Sequence, residues 1–137
     1  MVQSPRVTND TNIWLSALYF SGKPAEIVRL IEEQKITSVT STFILEELKE
    51  KMLIDFNTPS YAANGTIAYI SSISEFVPLR GINFGLRDPS DNNILETALT
   101  GKCKWLITGD KDLLTMKKYN EIHIVQPAQF LTEYQVK

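Results

Sequence analysis

The feature that most constrains the fold is an alternation along the whole chain: short β-branched runs separated by helix-length amphipathic segments. Strand-like runs stand at Arg6 to Asn9, Ile36 to Thr40, Phe76 to Leu79, Trp105 to Thr108 and His123 to Val125. A helix is expected from Ile13 to Phe20, stopping near Gly22. Pro24 opens a second, through about Gln34, with Val28, Leu30 and Ile31 on its apolar side. Thr42 to Leu53 reads as a third, with Phe43, Leu45 and Leu48 turned inward. Asn57 to Pro59 is a break, and Tyr61 to Ser72 a helix weakened by Gly65. Gly81 to Leu86 reads as loop. The sharpest helix start follows: Asp88 suits the N-cap, Pro89 the first helical position and Asp91 the third, with the end at Thr100 and Gly101. Asp112 to Tyr119 and Ala128 to Tyr134 are the last helices. Such alternation implies an α/β sandwich with a mostly parallel sheet, whose sites form at the carboxyl ends of the strands.

A chain of 137 residues is expected to be a single domain, 1–137, large enough to bury a core without staples. One cysteine, Cys103, excludes an internal disulfide and points to the cytoplasm. No apolar run reaches membrane-spanning length, and Met1 to Arg6 lacks the apolar stretch of a signal peptide. A net charge of −2 argues against a passive nucleic-acid binder, which shows a basic excess, but not against a nuclease that concentrates carboxylates around cations.

Four acidic positions stand out. Asp10 ends the first strand and Asp110 follows the strand at Trp105 to Thr108, both where such a sheet builds its site. Asp91 lies in the first turn of the helix opened by Asp88. Glu47 lies on a helix beside Glu46. Each has an ordinary structural use: Asp10 and Asp110 as turn or cap residues, Asp91 as the negative group of a helix start, Glu47 as a solvated charge. Three aspartates at strand–helix junctions nevertheless form the chain's one candidate catalytic set. Oxygen ligands of this kind select hard cations such as Mg²⁺ or Mn²⁺.

Asp10-Thr11-Asn12, Ile44-Leu45-Glu46-Glu47-Leu48, Asp88-Pro89-Ser90-Asp91-Asn92-Asn93-Ile94-Leu95 and Thr108-Gly109-Asp110-Lys111-Asp112-Leu113-Leu114 resemble, in order, the motifs of PIN domains. The likeness runs from about Val7 to Leu131 and is strongest to the toxin branch of toxin–antitoxin systems, VapC-like in the broad sense. It implies a three-layer α/β/α sandwich and a metal-dependent endoribonuclease using Mg²⁺ or Mn²⁺. It places the four acidic residues on Asp10, Glu47, Asp91 and Asp110, with Asp112 as an outer helper and Asn12 and Thr108 as supporting polar residues. It also implies an RNA substrate, a cognate antitoxin covering the site and a homodimer, for which Trp14, Leu18 and Tyr19 are candidate surface residues. Asn9 departs from the apolar residue expected before the first aspartate, and Glu46 stands one residue from Glu47.

Three other readings compete. An aspartyl-phosphate hydrolase wants a second aspartate two residues after its nucleophile, where this chain has Asn12. A receiver-like signalling domain shares the fold class but not the helical glutamate. A non-catalytic PIN-fold interaction module fits poorly with four filled acidic positions. His123, within a strand, reads as structural, and so does Cys103 between Lys102 and Lys104. Trp14 and Trp105 read as core. Lys102, Lys104, Lys111, Lys117 and Lys118 make the C-terminal third basic, either as an RNA contact or as a solvated face.

Overall fold

A computed structural model describes residues 4–134, so the outer three residues at each end of the expected domain, and with them half of the Met1 to Arg6 stretch, lie outside the described residues. Among the described residues, six strands form one sheet: β1 (Arg6–Asn9), β2 (Thr37–Thr40), β3 (Ser74–Phe76), β4 (Trp105–Ile107), β5 (Lys118–Tyr119) and β6 (Ile122–Val125), in the order β3-β2-β1-β4-β6-β5. Every neighbouring pair is parallel except β5 with β6. Seven helices among the described residues cover both faces: α1 (Thr11–Tyr19), α2 (Lys23–Glu32), α3 (Thr42–Ile54), α4 (Ser60–Ser72), α5 (Pro89–Thr100), α6 (Lys111–Met116) and α7 (Pro127–Tyr134). This is the expected three-layer sandwich.

Burial explains the architecture. Val7, Thr8 and Asn9 of β1 are all buried, as are all three residues of β4. Strands buried on both faces belong to a sheet with helices above and below. α5 lies against β1, β2 and β4 and is itself buried nearly all round, from Asp91 through Ala98. Gly101 ends α5 at φ −78, so a left-handed turn is not what selects glycine. A Cβ there would stand 2.5 Å from Val39 Cγ1 on β2, and Lys102 takes the positive φ instead.

The structure departs from the pattern in places that have local causes. The stretch from Asp112 to Tyr119 is not one helix. α6 ends at Met116, Lys117 adopts φ +63, and a tight turn with Asn120 at φ +52 pairs β5 with β6. Asparagine tolerates that conformation, and Tyr119 gains an edge-on contact with Phe84. β3 starts earlier than Phe76, because Ser74 pairs with Ser38 through both register and side-chain hydroxyls at 2.8 Å. It stops early because Pro78 has no N–H to continue the ladder. α1 starts at Thr11, directly after its cap.

Trp14 and Trp105 are core residues. Trp14 is 1% exposed, so it does not belong to an outer dimer face; Tyr19 is half-buried and stacked on Phe56. Of the three residues expected there, Leu18 is exposed, and Phe20 beside it is 66% exposed. Asn9 is buried with neither side-chain polar atom partnered among the described residues, and nothing in the structure explains asparagine at that position.

Candidate active site

The chain comes off the C-terminal ends of β1 and β4 into helix starts, and each start places an aspartate. Asp10 follows β1 and caps α1, its Oδ1 accepting from the Ile13 N–H at 3.1 Å. Its own N–H donates to the Ile107 carbonyl at 3.0 Å, carrying the β1–β4 ladder one bond past the strand. Asp110 caps α6, accepting from the N–H groups of Asp112 at 2.8 Å and Leu113 at 3.2 Å. Thr108 ties the two together. Its hydroxyl donates to Asp10 Oδ2 and accepts from the Asp110 N–H at 2.9 Å, and it is fully buried. Asp88 caps α5 and Asp91 occupies its first turn. The ordinary cap roles and a shared position at the carboxyl end of the sheet therefore coincide in the same residues.

Asp10, Glu47, Asp91 and Asp110 border one cleft, together with Asn12. Glu47 reaches it from α3 and accepts a hydrogen bond from Thr11 Oγ1 at 2.5 Å. Glu46 is exposed and does not border the cleft. The tightest group of oxygens is Asp91, Asp110 and Asp112, one carboxylate oxygen from each lying within 4.8 Å of the others. Asp10 and Glu47 share the cleft but stand outside that triplet. Asp112 is gripped from the other side by a two-pronged contact with Arg87, at 2.9 to 3.2 Å.

The electrostatics follow from burial and crowding. Asp91 is 4% exposed, and its Oδ2 has no hydrogen-bond partner among the described residues. Burial first, then the charges of Asp110, Asp88, Asp10 and Asp112, push its carboxyl up to about 7. Burial also raises Asp10; hydrogen bonds from Thr108, Ile13 and Asn12 oppose it, and Asp110 adds to it. A buried carboxylate oxygen that accepts no hydrogen bond is costly unless a proton or a cation takes its lone pair. The donors here are all oxygen. The chain's single histidine, His123, lies tilted against Trp105 in the sheet, and Cys103 is buried against the Thr8 hydroxyl, its thiol pushed up to about 11 by burial. The donor set therefore fits Mg²⁺ or Mn²⁺ and gives Zn²⁺ no nitrogen or sulfur.

Three residues escape a reading of the sequence. Thr11 and Lys51 join the cleft: Thr11 fixes Glu47, and Lys51 Nζ donates to Asn12 Oδ1 at 3.3 Å. The third is Glu96, fully buried on α5, which accepts from the N–H groups of Arg80 at 2.5 Å and of Gly81 and Ile82 at 3.0 Å. Burial alone would raise its carboxyl; those N–H groups outweigh it and hold it below the usual range. A lone acid within Ile94-Leu95-Glu96-Thr97-Ala98, preceded by a long loop whose backbone needs acceptors, is the signal that could have found it. The basic residues Lys102, Lys104, Lys111, Lys117 and Lys118 are all exposed, and none borders the cleft.

A family model described as PIN domain matches residues 6–112, a span that holds all the acidic positions above. An uncharacterized protein of Methanocaldococcus jannaschii is 34% identical over 145 residues, which cover 95% of this chain and 92% of the relative. Among solved structures, the PIN domain of T. brucei RRP44 aligns with a TM-score of 0.51 over 97% of this chain and 82% of that one. At 13% identity that likeness speaks for the fold alone.

Proposed function

The chain belongs to the PIN-domain family, a family of nucleases, and on that premise we propose that it is a divalent-metal-dependent endoribonuclease, the toxin component of a toxin–antitoxin system. The observation that carries the reading is Asp91: a buried carboxylate with an unpartnered oxygen, its charge opposed by four other aspartates. Such a group costs folding free energy, and binding a cation in the cleft is what turns the cost to use.

Hydrolysis of a phosphodiester needs water aligned on phosphorus, an acceptor for its proton, and positive charge against the phosphoryl oxygens. A bound Mg²⁺ or Mn²⁺ supplies that charge and acidifies water. Asp10, Asp91 and Asp110 are the residues that would hold it, with Asp112, already paired with Arg87, as an outer helper within reach of Asp91 and Asp110. The buried Thr108 hydroxyl fixes the Asp10 carboxylate and the Asp110 backbone, and the N–H groups of Asp112 and Leu113 hold the Asp110 carboxylate, so neither has to be ordered when the ion arrives. Thr11 engages Oε1 of Glu47, while its Oε2 makes no hydrogen bond among the described residues. That oxygen is suited to orient water and take its proton. Asn12 supports the same wall. None of this chemistry requires a 2′-hydroxyl, so the choice of RNA rests on the family.

The experiment is cleavage of a mixed RNA pool by the purified protein. Cutting should appear with Mg²⁺ or Mn²⁺, disappear in EDTA and not return with Zn²⁺. Undiminished cutting in EDTA overturns the metal, and no cutting with any ion overturns the nuclease. The toxin reading adds a cytoplasmic protein folded as one domain, an antitoxin that covers the acidic cleft, and a homodimer whose face includes Leu18 and Phe20. Light scattering at tens of micromolar checks the dimer. Growth arrest on expression, relieved by a protein encoded beside it, checks the toxin.

A further inference from the structure

The acidic cleft has a cation in its wall. Lys51 stands four residues after Glu47 on α3, so the two side chains leave one helix face one above the other, and both border the cleft. Despite the carboxylates around it, Lys51 forms no ion pair among the described residues. Its Nζ is held by a neutral amide, Oδ1 of Asn12, at 3.3 Å. A lysine serving only to neutralise the site would rest on a carboxylate, where the charge-assisted bond is stronger. An ammonium carries three donors, and Asn12 takes one. The basic residues of the C-terminal third do not border the cleft, so they cannot perform this task at the point of entry.

A polyanion entering this cleft meets like charge from several sides. One cation at the rim lowers that barrier locally and fixes where the backbone crosses. We propose that Lys51 is a phosphate-contacting residue that seats the nucleic-acid backbone at the mouth of the acidic cleft, with Asn12 positioning its ammonium. The inference rests on the nuclease reading and adds a substrate contact to it.

The test is the salt dependence of binding for a short fluorescein-labelled single-stranded RNA, measured by anisotropy with Ca²⁺ in place of Mg²⁺ so that the oligomer survives. Lys51→Met should weaken binding roughly fivefold at low salt and flatten the slope of log affinity against log salt by about 0.7, the loss of one phosphate contact on a single strand. Lys51→Arg should keep the wild-type slope. A lysine that merely braced α3 would change the melting temperature and leave the slope alone. A wild-type slope in Lys51→Met therefore overturns the proposal, even if cleavage falls. When wild type cuts RNA and Lys51→Met keeps the slope, Lys51 alone is removed. When wild type neither binds nor cuts, the nuclease reading fails and the proposal with it.

Discussion

Two buried carboxylates lie five residues apart on α5 and have opposite fates. Glu96 is fully enclosed, yet three backbone N–H groups fill its lone pairs and hold it ionised. Asp91 is nearly as buried, but it has an oxygen without a partner and four aspartates opposing its charge, and its carboxyl rises to about 7. Burial is common to both, so burial does not decide the charge state; the partners do. Glu96 anchors the Arg80–Ile82 stretch to α5 and belongs to stability. Asp91 is left unsatisfied where α5 begins, as a residue of the proposed cation site would be.

The sharpest break between the two is chemical. Asp91→Asn should reduce RNA cleavage about a hundredfold or more, since a neutral amide is a poor ligand for a hard cation. Glu96→Gln should leave cleavage per folded molecule close to wild type. Equal losses in the two would erase the distinction. The next effect is on stability and runs the other way. Glu96→Ala strands three N–H donors and should cost about 2–4 kcal/mol in urea unfolding. If the midpoint does not move, Glu96 is not an anchor.

In metal-free protein, Asp91→Asn, Asp10→Asn and Asp110→Asn should each stabilise by about 0.5–2 kcal/mol, because one of several like charges is gone and, at positions 10 and 110, asparagine still caps a helix. Mn²⁺ should raise the melting temperature of wild type more than that of any of the three. If Asp10→Asn melts lower than wild type in EDTA, its capping role dominates and its place among the ligands is lost.

The pH dependence separates the two carboxylates again. The folded-state value of Asp91 lies above that of an unfolded aspartate, so the folded protein binds the proton more tightly. Metal-free stability should therefore rise as pH falls from about 8 towards 5. Glu96 is lowered, so its contribution is present above the unfolded glutamate value and is lost as pH falls below about 4. Thermal melts in EDTA should show a maximum between those limits. A monotonic curve would mean that one of the two assignments is wrong. The smallest effect is Asp112→Asn. Arg87 already offsets that charge from an exposed position, so both the gain in stability and the loss of cleavage should be weaker than for Asp110→Asn.

The parts of this picture that the sequence displays are those with local signals. Asp88, Pro89 and Asp91 announce a helix start because capping is settled within four residues, and Asp10 and Asp110 stand where β-branched runs give way to helical spacing. What the sequence hides depends on distant partners. Glu96 finds its donors in a loop 14 to 16 residues back, and nothing periodic links the two. Lys51 looks like any lysine on an amphipathic helix until α3 is placed beside α1. The β5–β6 turn was hidden by Leu113, Leu114 and Met116, whose apolar spacing continues a helical pattern that Lys117 ends by its backbone alone. Leu18 and Trp14 are both apolar on α1, and only packing shows that one faces out and the other in.

The bond from Thr108 to Asp10 closes a loop of 98 residues, and the neighbouring ladder joins β1 to β4 across nearly the same span. Contacts so remote along the chain form late, because the intervening segments must be ordered before the two ends can meet. A ribosome that has delivered β1 through α5 has delivered Asp10, Glu47 and Asp91, but not the Thr108 that holds the first of them or the Asp110 that faces the third. The cleft therefore cannot be complete before β4 and α6 have emerged and docked: a nascent chain that stops short of them carries only part of the acidic set.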